Sequence, residues 1–201
     1  MSTGTLPGPG PGPGRPRSVE AHRAILDATL ELVAEVGFDQ LSVARVARRS
    51  GVSKATVYRR WPSKLPLVIE AFSELPTLEA PDNGNLVDDL IALLRQFAEI
   101  LRDTPLARVL PVLAGECAHD PELSALLAPQ IKARRAPLIQ ALERAVSRSE
   151  LPPDIDLEAS VDVIMGPLVT RMLFTGAEIE PDNVRRFVEA ALFGINRLRS
   201  D

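Results

Sequence analysis

The chain has 201 residues, 45% of them hydrophobic and only 4% aromatic. That length and apolar share suffice for one or two domains with real cores and exclude global disorder. With Leu, Val, Ala and Ile supplying most of the apolar residues, the composition suits helices more than sheets. The net charge of −4 conceals an asymmetry: residues 15–64 carry +5 and residues 65–201 carry −9. Between Asp39 and Glu70 there are seven basic residues (Arg45, Arg48, Arg49, Lys54, Arg59, Arg60 and Lys64) and no acidic one. A short basic block on an acidic protein is the footprint of a phosphate-backbone contact, although a solvated basic face has the same composition. No apolar run reaches membrane-spanning length, and no secretory signal opens the chain. Cys117 is alone, which excludes an intramolecular disulfide and a thiolate metal cage. These features point to a cytoplasmic protein with no cofactor, no metal and no membrane partner.

In chain order, residues 7–14 read PGPGPGPG, a leader that cannot hold a helix and is expected to be disordered to about residue 17. The first helix is expected from about Val19 to Val36, capped by Ser18, with Ile25, Thr29, Leu32, Val33 and Val36 on one face and Gly37 ending it. A short second helix follows Ser42, with Val43, Val46 and Ala47 inward. Ser50-Gly51-Val52 makes a tight turn, and a third helix runs from the cap Ser53 to about Arg60. A fourth begins after Pro62, capped by Ser63, and tolerates Pro66 in its first turn. Residues 76–84 form a turn-rich linker. Beyond it the pattern predicts helices at about 85–103 and 105–117, the latter kinked at Pro111. A helical region to about 149 is expected to be interrupted or bent at Pro129 and Pro137. Two last helices fall at about 157–175 and 182–198. No strand is convincing. The fold expected is all-α: a three-helix N-terminal domain, a fourth helix as link, and a C-terminal bundle of about five helices.

The informative stretch is Ser42 to Lys64, SVARVARRSGVSKATVYRRWPSK. Two short capped helices around a glycine turn have the spacing of a helix-turn-helix, which projects its second helix into the DNA major groove. Val46, Ala47, Val52 and Val57 form its small core. Lys54, Ala55, Thr56, Tyr58, Arg59 and Arg60 then face outward.

At this point the residues resemble the TetR family of bacterial regulators. GVSKATVYRRWPSK is similar to that family's recognition helix and the start of its fourth helix, and AHRAILDATLELVAEVGFDQLSVARVARRS to its first two helices. LPPDIDLEASVDVIMGPLVTRMLFTG is similar to a C-terminal domain of one branch. The resemblance implies a homodimer that binds double-stranded DNA at a palindromic operator and is released by a small effector. Residues 18–64 would be the DNA-binding domain, and residues 65–201 the effector-binding and dimerisation domain. It places Ser42, Thr56, Tyr58 and Lys64 on phosphates, and Lys54, Ala55 and Arg60 before base edges, where Arg60 would grip a guanine. Arg15 and Arg17 resemble a minor-groove arm, or are a soluble tail. Trp61 reads better as a core anchor than as a base-stacking group, and Arg48 and Arg49 as solvated charges.

In the C-terminal half, helical facing nominates Phe97, Leu101, Leu110, Leu113, Glu116, Cys117, Met165, Leu168 and Met172 as the lining of a mostly apolar effector pocket. Val161, Leu168, Ala190, Ala191, Leu192, Phe193 and Gly194 are expected at a dimer interface of the last two helices, unless they close the protomer's own core. Cys117-Ala118-His119-Asp120 is a helix end and cap rather than a catalytic group, since adjacency in sequence does not orient a base on a nucleophile. The competing classes are an enzyme or carrier with an apolar cavity, which leaves the basic helix pair unexplained, and a DNA-binding protein whose C-terminal half only dimerises.

Overall fold

The structure is a computed structural model that describes residues 16–177 and 179–195, with backbone alone at 16–18 and 181–182. Among the described residues there are nine α-helices, one π turn and no strand: α1 Pro16–Gln40, α2 Val43–Ser50, α3 Lys54–Arg60, α4 Lys64–Ser73, α5 Leu86–Asp103, α6 Leu106–Cys117, α7 Pro121–Ser147, α8 Leu157–Thr170, the π turn Arg171–Thr175 and α9 Pro181–Ile195. The all-α expectation holds.

The differences from expectation are local. α1 begins at Pro16, so Ser18 lies inside its first turn rather than capping it. Its regular part stops at Gly37, whose φ of 80° and ψ of 168° break the helical path before Phe38 to Gln40 turn once more. Ser63 sits at the N-cap of α4 in extended conformation, but its side chain makes no capping hydrogen bond. α7 is continuous through Pro129 and Pro137, so neither proline interrupts it. A proline in a helix orphans the carbonyl four residues earlier. Here those carbonyls belong to Ala125 and Ala133, both exposed residues that water can satisfy.

Two cores organise the molecule. The first packs Ile25, Leu26, Leu32 and Val33 of α1 with Val46, Val57, Trp61, Leu67 and Phe72, and takes in Leu106, Val109 and Leu113 of α6 and Leu123 and Leu127 of α7. The second joins Leu90, Leu93 and Leu94 of α5 with Leu138 and Leu142 of α7, Val161, Ile164 and Leu168 of α8, and Val184 and Val188 of α9. Thr29 is fully buried in α1, and its hydroxyl donates to the Ile25 carbonyl at 2.7 Å, so no polar group is orphaned there. Asp89 is the buried charge of α5. It accepts the Asn83 backbone N–H at 2.7 Å and lies 3.4 Å from Arg148 and 3.8 Å from Arg144. Arg144 also donates to the Pro81 carbonyl. This cluster fastens the 76–84 segment to the bundle.

Candidate nucleic-acid interface and interior cavity

The helix pair is built as its sequence chemistry requires. Ser42, in extended conformation, accepts the Arg45 N–H at 3.2 Å and starts α2. Gly51 ends it at φ 71°, ψ 11°, a left-handed conformation that costs glycine nothing. Ser53 starts α3 by accepting the Thr56 N–H at 3.3 Å, and the two hydroxyls lie 2.9 Å apart. Val57 is completely buried against α2, in one core with Val46 and Ala47, and Val52 packs on that core. With Val57 inward, Lys54, Ala55, Tyr58, Arg59 and Arg60 are exposed on the outer side of α3 and Thr56 is half-buried. Tyr58 keeps 47% of its surface in water, a large exposed aromatic beside cations. Among the described residues, Arg48, Lys54 and Arg59 have no carboxylate within 4.0 Å. The structure thus brings Lys54, Ala55, Tyr58 and Arg59 to the outer side of α3, with the half-buried Ser42 and Thr56 at the helix starts, while Arg60, also exposed, leans back on Trp61 and Glu70.

Four cations of the block are engaged elsewhere, Arg45 by donating to the Gln40 carbonyl at 2.9 Å. Lys64 does not project from the start of α4. Its ammonium donates to the carbonyls of Phe38 at 2.9 Å and Asp39 at 3.3 Å and lies 4.3 Å from the Phe38 ring centre. It therefore ties α4 to the α1–α2 corner in the chain without DNA. Arg60 donates to Glu70 at 3.0 Å and rests over the Trp61 ring. Arg49, read as a solvated charge, is held by both oxygens of Glu35 and by Glu31. That pairing, through the Arg49 hydrogen bond first, holds the Glu35 carboxyl below its usual range. Trp61 is the expected core anchor, 2% exposed, with its indole N–H donating to Glu70 at 2.7 Å. His22 stacks on it at 5.5 Å and approaches Glu70 at 3.6 Å. Sequence reasoning missed Glu70 and His22; the one signal was that Glu70 ends the acid-free run. Arg15 lies outside the described residues, as does the side chain of Arg17.

Between the end of α4 with the segment after it and helices α5 to α8 lies a cavity of about 160 Å³. Phe72 of α4 and Pro76, Thr77 and Leu78 of the following segment form one wall, Phe97, Ile100, Leu106 and Leu110 of α5 and α6 a second, and α7 and α8 the rest. Of the expected lining, Phe97, Leu110 and Met165 are there. Leu113 and Leu168 are not: each is buried in one of the two packed cores. Leu101 packs on the first core, Glu116 and Met172 are half-buried away from the cavity, and Cys117 lines a separate shallow recess with Ile131 and Arg135. Burial, then the carboxylates of Asp120 and Glu116, push the Cys117 thiol up, opposite to what a reactive thiolate needs. The charged groups at the cavity are ones the sequence reading overlooked, Arg134 and Arg135.

The residues nominated for a dimer interface divide. Val161, Leu168 and Ala191 are buried inside the protomer's own second core, and Leu192 packs partly against it. Ala190 and Gly194 are exposed, and Phe193 is 72% exposed. Val163 on α8 and Phe174 in the π turn add further apolar surface.

An all-α chain that presents a capped, basic α3 outward from a helix-turn-helix is a DNA-binding regulator. A sequence profile described as "Bacterial regulatory proteins, tetR family" matches residues 25–71, and one described as "Tetracyclin repressor-like, C-terminal domain" matches residues 80–191. The HTH-type transcriptional regulator YdeS of Bacillus subtilis is 34% identical over 184 residues, spanning 90% of this chain and 92% of that one. The DNA-binding transcriptional repressor TetR of Mycobacteroides abscessus is 30% identical over 181 residues, 87% and 93% of the two chains. Among solved structures, the TetR family transcription regulator SCO0332 superposes with a TM-score of 0.64 at 32% identity, covering 88% of this chain and 98% of that one. FadR from Bacillus subtilis, in complex with stearoyl-CoA, shares the fold with a TM-score of 0.69 at 18% identity, covering 87% and 97%. The chain belongs to the TetR family and is a transcriptional regulator, not an enzyme. No helix of the described residues is long and apolar enough to cross a membrane.

Proposed function

We propose that the protein is a homodimeric repressor that binds a palindromic operator and leaves it when a small, mostly apolar molecule fills the interior cavity. Residues 18–64 are its DNA-binding domain, and residues 65–201 bind effector and dimerise. Lys54, Ala55 and Arg60 face base edges, while Ser42, Thr56 and Tyr58 hold phosphates. The observation that carries the effector part is the wall shared by the cavity and α4: Phe72 belongs to the helix that continues directly from the helix pair. A ligand there acts on the mounting of α3, shifting the population toward dimers whose recognition helices no longer match successive major grooves about 34–36 Å apart. The similarly folded FadR, solved in complex with stearoyl-CoA, supports this reading. The repressor role is supported by the relative from Mycobacteroides abscessus. Dimerisation is assigned to α8 and α9, where Val163, Phe193, Ala190 and Gly194 offer apolar and small groups at the surface.

The test is fluorescence anisotropy with a palindromic duplex from the protein's own promoter region, across a salt series, with light scattering for oligomeric state. Salt-steep binding of a dimer, abolished by an apolar compound that binds the protein, is expected. Weak binding without salt dependence refutes the operator reading. Tight ligand binding that leaves DNA affinity unchanged refutes the effector reading.

A further inference from the structure

Arg134 stands at the middle of α7 and does two things at once. Its Nη1 donates to the Pro76 carbonyl at 2.7 Å, and its Nη2 to the carbonyls of Phe72 at 2.7 Å and Leu75 at 3.0 Å. These are the last carbonyls of α4 and the residues just beyond it, the negative end of that helix. The guanidinium also lies 4.6 Å from the Phe72 ring centre and lines the cavity. Yet its Nε is buried without a hydrogen-bond partner. Among the described residues no carboxylate lies within 4.0 Å of it, whereas its neighbour Arg135 pairs with both Glu158 and Asp162. Burial alone acts on its basicity, lowering it, with no anion to compensate. A guanidinium without a counter-ion beside an apolar cavity is a costly arrangement unless something anionic is to arrive there.

We infer that the effector is a compact monocarboxylate with an apolar body, that Arg134 is the residue that recognises its carboxylate, and that taking the carboxylate loosens the grip of Arg134 on the end of α4. This rests on the effector reading given above and names its chemistry. Both N–H groups of its Nη2 go to Phe72 and Leu75 and one of Nη1 to Pro76, so a carboxylate that docks on the free Nε–H and the adjoining Nη2 must displace one of those carbonyls. The single uncompensated positive charge matches one carboxylate and would leave a phosphate dianion half-neutralised. A cavity of about 160 Å³ holds a body of roughly aromatic-ring size, since a cavity of about 150 Å³ takes benzene. Because carboxylate and helix carbonyls draw on one planar fork, gaining the ligand weakens the cap of α4, and the event in the cavity reaches the DNA-binding helices through that exchange.

The experiment compares 3-phenylpropionate with the neutral 3-phenylpropan-1-ol on the full chain, by calorimetry and by release of operator DNA. The wild type is expected to bind the acid at least about tenfold more tightly than the alcohol, a difference of about 1.4 kcal/mol. Arg134→Gln should erase that preference while keeping the affinity for the alcohol, and Arg134→Lys, which keeps the charge without the fork, should recover only part of it. Should Arg134→Gln fail to fold, the acid-to-alcohol ratio of the wild type decides alone. Equal binding of the two compounds, binding of neither, or an undiminished acid preference in a folded Arg134→Gln overturns the assignment. Operator release by the alcohol alone would overturn it and leave the apolar-effector reading standing. Preferential acid binding without operator release would keep the ligand class and overturn both the coupling through α4 and the effector reading.

Discussion

Glu70→Gln isolates the part that Arg60 plays on DNA. One oxygen of Glu70 takes Arg60 at 3.0 Å and faces His22 at 3.6 Å, while the other accepts the Trp61 indole N–H at 2.7 Å. Glutamine keeps the shape and an oxygen for Trp61 but removes the anion. The ion pair is half-exposed, with Arg60 52% and Glu70 34% accessible, so losing it costs about 0.2–1 kcal/mol of folding stability. The same energy no longer holds Arg60 back from DNA, which predicts binding up to about fivefold tighter at constant salt. If the freed guanidinium gains one phosphate-like contact, the slope of log affinity against log salt steepens by about 0.9, so the variant loses about 3.5-fold more affinity than the wild type between 50 and 200 mM salt. Fluorescence anisotropy over a potassium chloride series measures both. Adding Arg60→Ala to the Glu70→Gln background should cancel the gain. Superimposable salt curves for wild type and Glu70→Gln would show that Arg60 takes no part in the DNA contact.

Four further variants concern stability. Gly51→Ala should destabilise by about 1 kcal/mol, because φ is +71° while an added Cβ meets nothing within 4 Å, leaving only backbone strain. Gly115→Ala, in equally open space within α6, should instead be stabilising by about 0.5 kcal/mol, and calorimetric shifts of the same sign in both would contradict this. Asp89→Ala orphans the Asn83 N–H and takes one partner each from Arg144, which keeps the Pro81 carbonyl, and Arg148, which keeps Glu150 and Asp82; it should cost about 1–3 kcal/mol, lowering Tm by at least about 2 °C, and a shift under about 1 °C would show that the cluster does not hold the 76–84 segment. The Arg49 hydrogen bonds hold the Glu35 carboxyl below the usual carboxylate range, so its contribution is present above that range and lost as pH falls through the depressed pKa. The Tm gap between wild type and Glu35→Gln should therefore close in acid, and a gap that persists at pH 3 would refute the pairing.

What was legible in the sequence followed from local chemistry. Ser42, Ser53 and Gly51 announce helix starts and a left-handed stop because caps act within three residues of themselves. Val57 reads as inward because its neighbours are polar. What was not legible depends on partners far along the chain. Lys64 looks like a free cation beside the helix pair, but Phe38, which accepts from it, lies 26 residues away. Helical facing finds inward residues without telling a packed interior from an open one, since Leu113 and Leu168 carry the same periodic signal as Leu110 and Met165. Arg134 sits in a Lys-Ala-Arg-Arg run that reads as a solvated face, and only the fold sets it under the end of α4. Pro129 and Pro137 looked like breaks because sequence alone does not say that the carbonyls they orphan face water.

The uninterrupted course of α7 also bears on how the molecule comes apart. At 27 residues it is a rod of about 40 Å, with Leu123 and Leu127 in the first core and Leu138, Ala141, Leu142 and Ala145 in the second. The first core also borrows Leu106, Val109 and Leu113 from α6, beyond the 76–84 segment. The chain's covalent boundary and its packing boundary are therefore different places. A fragment cut at 76–84 keeps the whole helix pair but leaves the apolar faces of α1 and α4 without their cover, so it aggregates rather than reading DNA. In the intact chain the two cores share one beam and melt together, in a single cooperative transition.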